Sequence, residues 1–150
     1  MQTEEIINTL TNIKIGDKLS INDWHAPYTV CGISKRYVLA HYGRHYTIIR
    51  RRPVTQIGYS RNGVRYGDIV CAPDWWALGY PDGYDFTNQS WVMQYMADLE
   101  ADYTGLSMRR MSPVFFLSVI GHTDKVYAKK KAPEGANKIN NRNRSNPCKD

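Results

Sequence analysis

Residues 26–71 are the part of the sequence that most restricts the possible folds. They hold five short segments rich in Val, Ile, Thr and Tyr, which are typical strand residues: APYTVCGIS (26–34), RYVLAHY (36–42), HYTIIRR (45–51), VTQIGYS (54–60) and VRYGDIVC (64–71). Gly43-Arg44 suits a two-residue hairpin turn of type II′, and Asn62-Gly63 suits one of type I′. Five strands joined by such tight turns predict a small, strongly bent antiparallel barrel or sheet.

The flanking segments predict two helices and further strands. Residues 3–13 carry Ile and Leu at helical spacing, and residues 86–100 form a second helical pattern with Thr87 or Asn88 as its cap. A first strand is expected at 18–22, and one or two more at 105–121 around Pro113. The sequence therefore predicts an α+β fold with five to seven strands, an N-terminal helix and one helix near 88–100.

The positive charge of the chain is concentrated at its C-terminal end. The net charge is +6, but residues 1–123 carry 12 Lys or Arg against 11 Asp or Glu, whereas residues 124–150 carry 8 against 3. Residues 128–150 contain few apolar side chains and many Lys and Asn, a composition typical of disorder. We therefore expect a single globular domain over 1–127 and a disordered basic tail over 128–150, in which Lys129, Lys130 and Lys131 are candidate phosphate contacts.

Cysteine usage and hydropathy predict a cytoplasmic protein with no membrane partner. The three cysteines are widely spaced and form no CxxC motif, which favours a reducing compartment, although the sequence leaves open a Cys31–Cys71 bridge. The acidic, amphipathic N-terminus does not resemble a signal peptide. No apolar run approaches the roughly 20 residues that a membrane-spanning helix needs.

The hairpin around Gly43-Arg44 gives a residue-by-residue register. A two-residue turn places Tyr42 opposite His45 and Arg36 opposite Arg51, with successive residues on alternating faces. Both faces are apolar in the middle of the hairpin, which predicts that both are covered.

Basic residues gather at the open end of this hairpin: Lys35, Arg36, Arg50, Arg51 and Arg52. Like charges on directly opposite residues destabilise a sheet, so the cluster needs an explanation. One interpretation is neutralisation by nearby acids, with Asp17, Asp23 and Asp68 as candidates. The other is a cradle for phosphate or for an acidic protein surface, since arginine gives two-pronged contacts to such groups.

Residues 71–86 are expected to form a long aromatic loop. Four of its side chains are candidate contacts to a partner: Trp75, Trp76, Tyr80 and Tyr84. Such side chains stack on bases of single-stranded nucleic acid or anchor protein interfaces. The alternative is that they close one end of the barrel, and in either case Trp75 and Trp76 should point in opposite directions.

Motifs of catalysis and metal binding are absent. The sequence contains no phosphate-binding glycine loop, nucleophile elbow or zinc-protease motif. The hairpin register places His41 and His45 on opposite faces, and no further ligands follow them at a zinc-site spacing. One catalytic arrangement remains open, a nucleophile formed by Cys31 or Cys71 with a histidine. Because the sequence offers no other catalytic motif or ligand set, we expect a protein that is not an enzyme and has no metal or cofactor.

The runs IGDKL, YTVCGISKRYVLA and HYTII, with the aromatic loop, the second helix and TGLSMRRMSPV, resemble small proteins of bacteriophages and other mobile elements of gut bacteria. The resemblance covers roughly residues 13–114 and rests on the general residue pattern of these segments rather than on a site motif. It implies a small SH3-like barrel. Some phage proteins of this size block host defence machinery, including CRISPR nucleases, so the resemblance permits an inhibitor role but transfers no site residues.

These patterns together predict a non-catalytic binding protein of a phage or mobile element. The expected partner is nucleic acid or a host nucleoprotein, contacted through the basic hairpin end and the aromatic loop. Two alternatives remain open: a protein–protein adaptor that uses the Trp and Tyr loop without nucleic acid, and a small hydrolase or ligand-binding barrel.

Overall fold

A computed structural model of the chain describes residues 2–22, 24, 26–62, 64–78, 83–101 and 108–128; within these, the side chains of residues 2, 3, 55–61 and 64–71 are not described. The elements, in chain order, are α1 (Gln2–Thr11), β1 (Asp17–Ile21), β2 (Tyr28–Ile33), β3 (Tyr37–Tyr42), β4 (His45–Arg61), β5 (Val64–Leu78), α2 (Gln89–Ala101), β6 (Met108–Arg110) and β7 (Leu117–His122). The predicted α+β class is confirmed, with two helices and seven strands within the described residues. No helix in the described ranges has the length and hydropathy required to cross a membrane.

All seven strands form one antiparallel sheet in the order β6-β5-β4-β3-β2-β1-β7. The two edge strands follow each other in the chain, and the linker between them is residues 111–116. Six extended residues span at most about 22 Å, so the sheet must bend strongly to bring its edges this close. The edges do not pair with each other, and closure into a barrel is therefore not observed.

The linker is held at both ends by hydrogen bonds to the sheet. Met111 N donates to the Trp75 carbonyl oxygen of β5 at 2.7 Å. At the other end the Asn22 side chain receives hydrogen bonds from the backbone N–H groups of Phe115 (2.7 Å) and Phe116 (3.1 Å). One asparagine thus satisfies backbone groups that no strand partner reaches.

Two hydrophobic cores lie on opposite faces of the sheet. The inner core combines α1 with the inward residues of the strands: Ile6, Leu10, Ile13, Leu19, Ile21, Tyr28, Val30, Val38, Ala40, Ile49, Trp75 and Val114. The outer core lies beneath α2: Cys31, Tyr37, Leu39, Ile48, Phe86, Val92, Tyr95, Met96 and Leu99. The hairpin residues divide between the two cores by simple alternation, which confirms that both faces of the hairpin are covered.

Helix α2 is capped and docked by two local features. Asn88 is its cap, since the Asn88 side-chain oxygen accepts a hydrogen bond from Ser90 N at 2.9 Å. The helix approaches the sheet at Gly32, where a Cβ atom would lie 2.9 Å from Cγ1 of Val92. Glycine is therefore required at position 32 for this close contact, and the predicted helix is confirmed with a boundary shift of one residue.

The sequence-based boundaries of the long strands are wrong. The segments 45–51 and 54–60 belong to one strand, β4, and the expected loop 71–86 is strand as far as Leu78. Ile48 pairs with Trp76 and Ile49 with Trp75, so long-range pairing overrides the loop-like composition. Pro53 lies opposite Pro73 between two shifts of register, where a missing backbone N–H is tolerated.

The predicted tail lies outside the described residues except for Ala128. The prediction of one domain over 1–127 with a disordered extension therefore stays a prediction.

A histidine joins the end of β7 to the start of β1. His122 Nδ1 lies 2.8 Å from Oδ1 of Asp17, and His122 Nε2 lies 3.1 Å from Oδ1 of Asp124. The hydrogen bonds to Asp17 and then to Asp124 raise the pKa of His122 above its usual value. Two carboxylates facing both ring nitrogens favour the doubly protonated, charged imidazole.

The raised pKa of His122 predicts a pH-dependent stability. Because the folded pKa exceeds the unfolded value of about 6.5, the stabilising contribution is fully present below pH 6.5 and disappears as the pH rises through the folded pKa. Urea unfolding of the wild type and of His122→Gln from pH 5 to 9 should therefore show a difference in unfolding free energy that shrinks as the pH rises. A difference that stays constant or grows with pH would contradict this assignment.

Candidate functional site

Most of the predicted basic cluster is engaged in contacts within the protein. Arg36 pairs with Glu100 of α2, with Nε and Oε1 2.8 Å apart, and the Arg36 backbone N donates to Oε2 at 2.7 Å. Burial opposes the charged form of Glu100, but hydrogen bonds from Ser34 and Arg36 outweigh it, and the pKa of the carboxyl is lowered. Among the described side chains, the acid that neutralises Arg36 is therefore Glu100, and Asp17 is bonded to His122. Of the other two acids considered, Asp23 lies outside the described residues and the side chain of Asp68 is not described.

Arg51 is also committed to the fold. Its backbone N donates to the Arg36 carbonyl oxygen at 2.8 Å, as the hairpin register predicts. The guanidinium Nε and Nη2 donate to the Leu10 carbonyl oxygen at 3.2 and 3.0 Å, and Nη1 donates to the Ser34 carbonyl oxygen at 2.8 Å. The side chain thus caps the C-terminal end of α1, where helix carbonyls lack partners and a positive charge is favourable.

The other three members of the cluster differ in exposure. Arg50 is half-buried, with its guanidinium 5.8 Å from the centre of the Tyr37 ring and Nη1 3.4 Å from the Tyr37 hydroxyl. Lys35 and Arg52 are exposed. The five residues therefore do not form a common cradle for an anion, although Lys35 and Arg52 are accessible to a partner.

The aromatic candidates separate as well. Trp75 has no exposed surface, and its indole N–H donates to the Thr47 hydroxyl, so the expectation that Trp75 contacts a partner is wrong. Trp76 is half-buried against Tyr37 on the outer face, which confirms the opposite orientation of the two side chains. Tyr84 donates a hydrogen bond to Asp98 at 2.6 Å, and burial, followed by this bond, raises the pKa of its hydroxyl.

The remaining candidates, Tyr80, Lys129, Lys130 and Lys131, lie outside the described residues. Their proposed contacts stay predictions.

A different set of residues forms an open cleft beside the turn at Gly43-Arg44, which we call the turn-end cleft. Its volume is about 560 Å³. It lies at the end of the β3–β4 hairpin opposite the predicted basic cluster. The lining residues come from the β1–β2 connection, β2, the β3–β4 hairpin, β5, β6 and the start of the linker after β6: Trp24, Ala26, Tyr28, Tyr42, Arg44, His45, Tyr46, Thr47, Ala77, Leu78, Arg109 and Met111.

Aromatic side chains of the turn-end cleft rest on the inner core. The rings of Trp24 and Tyr28 meet Trp75 edge-on, with centroids 5.9 and 6.4 Å away, and Tyr42 lies 6.4 Å from Tyr28. Trp24 is 50% exposed and Tyr42 is 49% exposed. Buried Trp75 therefore supports the accessible ring of Trp24 directly and the accessible ring of Tyr42 through Tyr28.

Among the described residues, the ionisable side chains that line the turn-end cleft are basic. Arg44 lies in the hairpin turn, His45 begins β4 and Arg109 lies in β6, and the described lining contains no Asp or Glu. Within the described ranges, neither Arg44 nor Arg109 forms a salt bridge, in contrast to the neighbouring Arg110, whose Nη2 lies 3.0 Å from Asp74 Oδ1. The cleft thus combines accessible aromatic rings with exposed arginines that have no acidic partner among the described residues.

The described residues provide little for catalysis. No group of three His, Cys, Asp or Glu in them is placed to hold a metal ion. Cys31 is buried and free, and burial raises the pKa of its thiol, so it is protonated at neutral pH and a poor nucleophile. The Thr47 hydroxyl in the cleft is occupied by a hydrogen bond to the Trp76 carbonyl oxygen at 2.7 Å.

Sequence reasoning missed the turn-end cleft. Trp24, Tyr42 and Arg109 are far apart in sequence and come together only through the bend of the sheet. The one available signal was the Tyr42-Gly43-Arg44-His45 turn, which exposes aromatic and basic residues side by side.

No protein-family model matches this sequence, and a search of curated proteins and of solved structures finds no significant match.

Proposed function

We propose that this protein binds single-stranded nucleic acid non-catalytically, with the turn-end cleft as the binding site. The observation that carries the proposal is the pairing of accessible rings, Trp24 and Tyr42, with the exposed cations Arg44 and Arg109 in a cleft whose described lining contains no acidic residue. Proteins that bind single strands combine the same two elements, aromatic platforms for bases and positive charge for phosphates.

The dimensions and energies support this ligand. A volume of about 560 Å³ is within the range of small-ligand pockets and accommodates one or two nucleotides. Each base stacked on an aromatic side chain contributes about 1–3 kcal/mol, and it does so for any base. Arg44 and Arg109 would hold the flanking phosphates, and recognition would therefore depend little on sequence.

We regard the bent sheet as a partly open barrel of the SH3-like kind, encoded by a phage or mobile element. In that setting the protein would engage a host nucleoprotein, for example a defence nuclease, through its nucleic acid. The tail residues Lys129, Lys130 and Lys131 would add electrostatic attraction at long range.

A protein–protein adaptor is the second candidate, and one observation favours it. Phe116, Val119 and Ile120 of the edge strand β7 and its preceding linker are 49%, 47% and 58% exposed. Large apolar residues grouped at a sheet edge are typical of protein interfaces. In this candidate the edge at β7 is the contact surface, in place of the aromatic segment, whose described rings Trp75, Trp76 and Tyr84 pack in or against the two cores.

Removal of the two cleft arginines tests the proposal. Tryptophan fluorescence titration with an oligothymidylate at several salt concentrations should show that Arg44→Ser/Arg109→Ser binds more weakly, with a salt dependence reduced by about 0.7 per lost phosphate contact. The control Lys14→Ser/Lys125→Ser removes the same charge from exposed sites outside the cleft. Equal binding by the two double variants would contradict the proposal, and a wild type that binds no oligonucleotide would leave the adaptor as the better account.

A further inference from the structure

Strands β4 and β5 continue together well beyond the rest of the sheet. Strand β3 pairs with β4 only as far as Arg50, and β6 pairs with β5 only from Trp76 onward. The β4–β5 pairing nevertheless runs on from Thr55↔Ala72 to Arg61↔Val64. We call residues 55–72 the β4–β5 arm.

The arm is a two-stranded ribbon. Seven residues, from Thr55 to Arg61, span about 23 Å in extended conformation. Within the described residues no third strand pairs with this part of the ribbon. Because an isolated two-stranded ribbon is only marginally stable in water, an arm of this length is expected to gain stability by docking on a partner.

The position of the turn determines which residues lie at the tip of the arm. Arg61 pairs directly with Val64, which leaves two positions, 62 and 63, between the strands, the loop length that the sequence predicts. Asn62 has a positive φ of 54° and is exposed. The preceding pair, Ser60↔Arg65, places a second arginine beside the tip.

The charge of the arm favours a polyanion as the occupant. Arg61 and Arg65 flank the tip and the exposed Arg52 precedes the arm, whereas Asp68 is the only acidic residue from 52 to 72. Pairing of two arms from two copies of this chain would bring arginines near one another, which like-charge repulsion opposes. The same charges attract a nucleic acid backbone.

We propose that the β4–β5 arm docks in the major groove of B-form double-stranded DNA. That groove, about 12 Å wide, admits a two-stranded β-ribbon, and the deep, narrow major groove of duplex RNA does not. Asn62 at the tip carries an amide that can both donate to and accept from a base edge, as in asparagine contacts to adenine. Arg61 and Arg65, at register positions beside the tip, supply positive charge that attracts the phosphates along the groove.

This site is separate from the turn-end cleft. The cleft lies at the turn of the β3–β4 hairpin, and the arm starts beyond the open end of the same hairpin. Duplex binding by the arm and single-strand binding by the cleft can therefore be removed independently.

Fluorescence anisotropy with a labelled 20-base-pair DNA duplex tests the arm on the full chain. Arg61→Ser/Arg65→Ser should bind duplex DNA about tenfold more weakly or worse, with a salt slope reduced by about two. Asn62→Asp should also weaken binding, because Asp-Gly keeps the turn while adding a negative charge at the tip. Lys14→Ser/Lys125→Ser, which removes the same charge from exposed sites outside both the arm and the cleft, serves as the matched control and should retain duplex binding.

Three results would overturn the proposal. The first is that the wild type does not bind duplex DNA, and the second is that both arm variants bind it as the wild type does. The third is that the arm variants lose binding to duplex RNA as much as binding to duplex DNA. Circular dichroism of each variant establishes that its fold is intact. Should the arm variants lose duplex DNA and still bind oligothymidylate, the arm and the cleft are distinct sites. If the test of single-strand binding by the turn-end cleft fails, the result for duplex binding by the arm is unaffected.

Discussion

Replacement of Trp75 by Ala is expected to lower the free energy of unfolding by about 3–5 kcal/mol. Trp75 is fully buried in the inner core, it supports Trp24 and Tyr28 edge-on, and its indole N–H donates to Thr47. Truncation leaves a large cavity at the junction of β4, β5 and the turn-end cleft. Because the rings of Trp24 and Tyr28 lose the side chain that supports them, oligothymidylate binding should weaken at the same time.

Equilibrium unfolding in urea measures this effect. Trp91→Ala is the matched control, since Trp91 is only half-buried on α2 and makes its ring contact with Tyr84. We expect the control to lose a smaller part of the stability and to bind oligothymidylate normally. Equal losses of stability in the two variants would show that the inner core does not depend on Trp75 as described.

The second large effect is expected from Arg51. Arg51→Ala should destabilise the protein by about 2–3 kcal/mol, because its guanidinium satisfies the carbonyl oxygens of Leu10 and Ser34 and thereby fixes the end of α1. The neighbouring Arg52 is exposed, and Arg52→Ala should change the stability by less than about 0.5 kcal/mol.

Thermal and urea unfolding of the two single variants separate a structural arginine from an accessible one. A nearly equal effect of both substitutions would contradict the capping role of Arg51. Loss of nucleic acid binding in Arg51→Ala with unchanged stability would restore the interpretation of this residue as part of a phosphate cradle.

Much of the fold follows from local patterns in the sequence. The turn at Gly43-Arg44 determined the pairing of β3 with β4, and alternation placed each hairpin residue in the inner or outer core. The extension of β5 to Leu78 did not follow, because it depends on pairing with residues about 30 positions earlier in the chain and with β6. Composition alone describes the segment APDWW as a loop.

The candidate site could be predicted less well than the fold. Proximity in sequence drew attention to Arg50, Arg51 and Arg52, but the groups that engage the neighbouring charges are distant in the chain. Glu100 lies 64 residues from Arg36, and the Leu10 carbonyl lies 41 residues from Arg51. The turn-end cleft likewise depends on the bend of the sheet, which brings β6 beside the hairpin turn.

The central claim is that the turn-end cleft binds single-stranded nucleic acid, and the indole N–H signals of the four tryptophans test it most directly. In a two-dimensional ¹⁵N–¹H NMR titration with oligothymidylate, the account predicts a large shift of the Trp24 signal, and none for Trp91 on α2. A titration in which Trp91 shifts and Trp24 does not, or in which no indole signal responds, would contradict it.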